Sequence, residues 1–148
     1  MTDAFLRKPR TLWLAGLLAS LGLSAASAET LEVSLQGVQH GRGTLHVDLF
    51  NEPDSFRKEA RALRVVQVPA RPGTVQVEFR DLAPGRYAVM AYHDEDGNGE
   101  LNRRFGMFPL EGYGLSGNPQ VIGPPGFRDS AFHVSSGQET RISLEMRY

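Results

Sequence analysis

The chain contains no cysteine. That absence excludes a disulfide scaffold, a thiol nucleophile, a zinc–thiolate cluster and the lipid-modified cysteine of a bacterial lipoprotein. An excess of either charge is also missing: 16 Lys plus Arg stand against 17 Asp plus Glu, a formal net charge of -1. A strongly basic nucleic-acid binder and a disordered acidic tail are therefore excluded. No glycine-rich phosphate loop lies between a strand and a helix, and no internal repeat is visible. What remains, 41% hydrophobic and 22% charged residues in 148, suits an ordinary globular chain.

The N-terminus reads as an address. Arg7, Lys8 and Arg10 precede the apolar run Thr11 to Leu23, and small residues follow, ending in Ala26-Ser27-Ala28. Basic, apolar, then A-x-A is the layout of a cleaved secretory signal. The run is too short to cross a bilayer, which takes about 20 residues. Residues 1–28 are therefore expected to be removed, leaving 29–148 as one domain in the periplasm or secreted. Without Arg7, Lys8, Arg10 and Asp3, that part carries 13 basic and 16 acidic residues. It buries roughly two-thirds of its unfolded surface, enough for one core without staples.

The remainder alternates with period two. Leu31, Val33 and Leu35; Leu45, Val47 and Leu49; Val75, Val77 and Phe79; Phe132 and Val134; and Ile142, Leu144 and Met146 each alternate with polar neighbours. This marks strands with one buried and one wet face. Arg64 to Val68 is a further short strand. Arg86 to Tyr92 is apolar on both sides and predicts a central strand covered on both faces. Gly41-Arg42-Gly43, Pro69 to Gly73 and Ala83-Pro84-Gly85 punctuate the strands. Ser136-Gly137-Gln138 predicts a hairpin between the last two. Only Pro53 to Leu63 carries a helical signal, with Asp54 or Ser55 as cap. Seven strands predict an all-β, single Greek-key β-sandwich of immunoglobulin-like type. Gly106 to Arg128 breaks the rhythm with six Gly and four Pro. A loop of that length in a small domain is usually functional or loosely ordered.

Chemistry concentrates between His93 and Asn102, HDEDGNGELN. Asp94, Asp96 and Asn98 alternate and Gly99 follows, which is the first half of a D-x-D-x-N-G calcium loop. A hard cation takes six to eight oxygens, and a curling chain turns alternate side chains inward. Glu100 would lend its backbone carbonyl and Asn102 a direct or water-bridged oxygen. The closing bidentate glutamate is missing, because Phe105 stands there. Glu111, Asp129 or a neighbouring loop would have to complete the shell of a Ca2+ site. The same residues also suit a metal-free polar turn, since Asp and Asn side chains cap their own backbone amides. His93 beside Asp94 is a transition-metal candidate. A strand-end histidine with no second histidine nearby in sequence more often orders a turn through a carbonyl. Strand phase puts His40, His46 and His133 at the surface. Arg103-Arg104 is expected as a solvated rim or as a partner of the acidic cluster.

Four ordered motifs carry a resemblance. They are Leu82-Ala83-Pro84-Gly85-Arg86-Tyr87-Ala88, then His93 to Gly99, then Pro109-Leu110-Glu111-Gly112-Tyr113-Gly114-Leu115-Ser116, and Gly123-Pro124-Pro125-Gly126-Phe127. The run resembles the bacterial exported family called domain of unknown function 2141, with Asp96 in place of its usual Asn and Leu115 in place of its usual Phe. The resemblance implies an exported sandwich of prealbumin-like or carboxypeptidase-regulatory-like type and no reaction. The expectation is thus a non-catalytic binding or structural module. Its loop aromatics, Tyr113 and Phe127, with His93, are candidates for contact with a small molecule, a glycan or an envelope protein, not with nucleic acid. The alternative is a periplasmic hydrolase or other enzyme using His93 and neighbouring carboxylates. Gly114-Leu115-Ser116-Gly117-Asn118 misses the nucleophile elbow at Asn118, and no helix follows it.

Overall fold

In the computed structural model, which describes residues 28–148, the alternating segments pair into two sheets that bury their apolar phases against each other. The signal expected over residues 1–28 lies, apart from Ala28, outside the described residues. The strands are β1 (Glu29–Val38), β2 (Thr44–Phe50), β3 (Arg64–Pro69), β4 (Gly73–Leu82), β5 (Gly85–Asp94), β6 (Arg103–Arg104), β7 (Phe108–Pro109), β8 (Tyr113–Leu115), β9 (Phe132–Val134) and β10 (Thr140–Glu145). One sheet runs β10-β1-β4 and the other β3-β2-β5-β8, with β9 beside the first residues of β5. β6 and β7 form a small separate ribbon. All seven expected strands are present, and the chain is an all-β sandwich.

Register brings the expected phases together. Val33 lies opposite Val77 of β4 and Ile142 of β10, and Val47 lies opposite Ala91. Leu31, Val33, Leu35, Leu45, Val47, Leu49, Val89 and Leu144 are fully buried between the sheets. At roughly 2 kcal/mol for each large apolar side chain removed from water, this layer is the main source of stability.

Two connections differ from expectation. Ser136-Gly137-Gln138 does not close a hairpin, because β9 pairs with β5 while β10 pairs with β1 in parallel. Parallel neighbours require a crossover, so the chain passes here from one sheet to the other. Pro53 to Leu63 is a string of turns with a single 3-10 turn at Glu59–Arg61. Arg57 at φ 63 interrupts any helix there. One helical turn, Phe127–Ser130, appears instead at the end of the Gly/Pro-rich stretch, where Asp129 Oδ2 accepts from the Gly126 N–H at 2.7 Å.

Both faces of β5 are covered, as its apolar character requires. On the outer face Phe50, Ala88, Met90 and Tyr92 form a second core with Phe56, Leu101, Leu115 and Phe127. Phe56 meets Phe50 and Phe127 edge-on, with ring centres 5.5 and 5.9 Å apart, a geometry the ring quadrupoles favour. The segments after β2 and β5 thus lie over the sheet. Among the described residues no helix is long and apolar enough to cross a membrane.

Leu144→Ala, which hollows the layer between the sheets, should destabilise the protein by about 2–5 kcal/mol. Ile122→Ser, at a fully exposed loop position, should leave stability within about 0.5 kcal/mol. Equilibrium unfolding in urea measures both.

Candidate functional site

Strand alternation sends the last two residues of β5 to opposite faces. Asp94 continues the outer phase of Met90 and Tyr92, and His93 the inner phase of Val89 and Ala91. Asp94 then organises the turn that follows. Its Oδ1 accepts from the N–H groups of Gly97 at 2.8 Å and Asn98 at 3.1 Å, and its Oδ2 from Gly99 at 2.9 Å. Burial raises the affinity of this carboxyl for its proton. The backbone N–H groups of Gly99, Gly97 and Asn98, with His46, outweigh burial and hold it below the ordinary aspartate range. Gly99 at φ 81 makes the reversal that a side chain would resist. Gly43, at φ 73, lets β2 approach so closely that a Cβ there would collide with the Asp94 carbonyl oxygen.

The acidic loop does fold back on a centre. Oxygens of Asp94, Asp96 and Glu111 lie within 4.8 Å of one another. Glu111 arrives from the segment before β8 and ties the loop down, accepting from the N–H of Glu95 at 3.0 Å and of Asn102 at 2.9 Å. Asp96 Oδ2 accepts from the amide groups of Asn98 at 3.3 Å and Asn102 at 2.8 Å. The backbone N–H of Glu100 donates to Asn98 Oδ1. Asp129 is not part of this group. Glu95 leaves it as well, meeting His40 Nε2 at 3.0 Å and Arg42 at 3.4 Å. Among the described residues none of the ion pairs joins Lys or Arg to Asp94, Asp96 or Glu111. Arg103 is turned elsewhere, to Glu59 at 2.6 Å.

His93 is fully buried and both of its nitrogens are engaged. The Arg42 carbonyl, 2.5 Å from Nε2, can only accept, so Nε2 carries the hydrogen. Nδ1 then accepts from the Tyr148 hydroxyl at 2.8 Å, which itself accepts from the Gln39 N–H at 3.3 Å. Folding does bring His40 to His93, ring centres 4.5 Å apart, and ligand atoms of His40, His93 and Glu95 lie within 4.8 Å of one another, with both His93 nitrogens hydrogen-bonded. Ser116 is locked in the same way: its buried Oγ accepts from the Val89 N–H at 2.8 Å and donates to the Ser130 carbonyl at 2.6 Å.

His46 departs from the surface position that strand phase predicts. It is 6% exposed, stacked on Tyr92 with ring centres 4.6 Å apart and 3.5 Å from Asp94 Oδ2. The loop that covers the outer face of β2 buries it. Asp48, two residues on, is 1% exposed, and its Oδ2 has no hydrogen-bond partner among the described residues. Both line a polar cavity of about 430 Å³ bounded by β2, β3, the 3-10 turn and the acidic loop. Neither was singled out by sequence. The one available signal was Phe50, an apolar residue on the supposedly wet phase of β2.

A second cavity of about 430 Å³ lies beneath the Gly/Pro-rich loop, lined by Met90, Leu101, Tyr113, Leu115 and Pro125, with Arg57 and Arg103 at its wall. Tyr113 thus borders a cavity. Phe127 is buried in the second core, and His93 points into the other side of the sheet. The three loop-binding candidates therefore do not share one site.

Residues 33–143 match the model of the family described as "Uncharacterized protein conserved in bacteria (DUF2141)". Neither the curated proteins nor the solved structures include a significant match to the chain.

Burial, aided by the nearby Glu59, pushes the Asp48 carboxyl from the ordinary 3.8 up to about 7. Between those values the folded chain holds a proton that the unfolded chain has released. The stability linked to that proton is complete at low pH and is lost as pH rises through about 7. The shift corresponds to about 4 kcal/mol. Urea midpoints measured between pH 5 and 8 should fall more steeply in the wild type than in Asp48→Asn. Parallel curves for the two proteins would sink the assignment.

Proposed function

The chain belongs to the DUF2141 family, and on that premise we propose that it is an exported, non-catalytic binding module whose loop cover is fastened by Ca2+. Asp94, Asp96 and Glu111 supply the charged ligands, with Asn98, the Glu100 backbone carbonyl and Asn102 filling the shell. The observation that carries this reading is the meeting of those three carboxylates within 4.8 Å, with no Lys or Arg paired to them among the described residues. Like charges at that separation repel, and a divalent cation removes the repulsion.

The asparagines supply a second support. Asn98 and Asn102 both turn an NH₂ group onto Asp96 Oδ2. Asn98 Nδ2 also donates to Asn102 Oδ1 at 2.8 Å, so both amide groups are set against the carboxylate cluster. Glu111 takes the part of the missing glutamate at Phe105, and its binding joins the acidic loop to the segment that leads into β8. The engaged nitrogens of His93 and the engaged hydroxyl of Ser116 favour a module without catalysis over a hydrolase.

Millimolar Ca2+ should raise the unfolding temperature by several degrees. A Kd of about 10⁻⁴ to 10⁻³ M, the range of extracellular calcium modules, adds roughly 1.5–3 kcal/mol at about 10 mM ligand. Mg2+, which demands a tighter octahedral shell, should have little effect. Asp96→Ala, at an exposed position, should erase the shift while the metal-free protein stays folded. An unchanged melting curve in Ca2+ overturns the metal assignment.

Export is tested separately. The full chain expressed in a Gram-negative host should accumulate in the periplasm, and intact-mass measurement should find Glu29 as its first residue. A cytoplasmic product retaining Met1 would end that part of the reading.

A further inference from the structure

The polar cavity on the outer face of β2 and β5 holds an acid that the acidic loop does not use. Asp48 lies against it, almost completely withdrawn from solvent, with one carboxylate oxygen lacking any partner among the described residues. Leaving a buried acceptor unpaired is costly, the more so when the group is charged, and native chains seldom retain one without a use. The cavity around it carries an excess of negative charge. Glu59 and Glu100 share its wall with Asp48, and Arg103 is the one guanidinium there, already engaged with Glu59 at 2.6 Å. The remaining wall mixes neutral polar groups, Gln67 and Tyr92, with the apolar side chains of Ala60 and Val65.

We propose that this cavity is a binding site for a small organic ammonium ion, with Asp48 as its anionic anchor. The ammonium group donates to the Asp48 carboxylate, whose unpartnered oxygen is buried beside the cavity, and a short alkyl stem lies along Ala60 and Val65. A volume of about 430 Å³ holds a group of a few carbons together with its charge. A metal ion is the poorer occupant. Among the described residues the groups of three or more converging ligands lie elsewhere, at His40, His93 and Glu95 and at Asp94, Asp96 and Glu111. An anion is excluded by the net charge of the wall. The entrance is accessible, since Val65, Gln67 and Glu100 are exposed.

The test uses isothermal titration calorimetry and two-dimensional amide NMR of the protein in EDTA at pH 8. Under these conditions the calcium reading and this one succeed or fail independently. The probes are n-butylammonium, n-butanol and butyrate, each up to about 50 mM, a range that detects Kd values near millimolar. Butylammonium should bind one per chain and shift the amides of His46 to Asp48 and of Gly99 and Glu100, while butanol and butyrate shift none of them. Asp48→Asn should weaken binding by about tenfold or more, the loss expected for a charge-assisted hydrogen bond, while its urea midpoint equals or exceeds that of the wild type. Glu59→Gln, which releases Arg103 to face Asp48, should weaken binding as well. Failure of the wild type to bind butylammonium, or unchanged binding by Asp48→Asn, overturns the proposal.

Discussion

The apolar outer face of β5 is the constraint from which the rest of the molecule follows. Ala88, Met90 and Tyr92 would be left in water if the sandwich consisted of two sheets alone. Phe50 on the adjoining strand extends the same exposed patch. Covering it requires more chain than a turn supplies, so the segments 53–63, 95–112 and 116–131 fold over the sheet and bring Phe56, Leu101 and Phe127 onto Leu115 of β8 and its neighbours. A domain with one interlayer core thereby acquires a second, and the long loops become walls.

Everything of chemical interest lies beneath or at the rim of that cover. The cover buries His46 and Asp48, which strand phase alone would leave wet. It brings Glu111 back to the end of β5, where Glu111 accepts from two backbone N–H groups and faces Asp94 and Asp96. It also divides the space above the sheet into two cavities of similar volume and different character, one apolar beneath the Gly/Pro-rich loop and one acidic beneath the 3-10 turn. Arg103 borders both, and its pairing with Glu59 sets the charge of the acidic one.

On the opposite face of the same end of β5 stands His93. His93 carries the most suggestive side chain in the acidic loop's sequence, yet its hydrogen bonds to the Arg42 carbonyl and the Tyr148 hydroxyl tie together three distant parts of the chain. Tyr148 in turn packs its ring on Gly112, where a Cβ has no room. The C-terminal residue, the start of β2 and the segment before β8 are thus fastened at one point. A histidine used in this way stabilises by directional bonding within an apolar layer.

Local order in the sequence was enough to determine the seven main strands, the inward residues of each and the two-sided burial of β5, because period-two alternation reports directly on which side chains share a face. The reversal at Gly99 and the inward turn of Asp94 and Asp96 were equally local, since alternate residues of a curling chain converge whatever surrounds them. Only tertiary structure decided that β10 joins β1 in parallel instead of pairing with β9, that Glu111 closes the acidic group, and that Asp48 sits unpaired in a cavity. Each of these depends on contacts between residues distant in sequence, where neither spacing nor propensity carries information. The burial of an outward-facing strand residue is set by what is laid over it, not by the strand on which it stands.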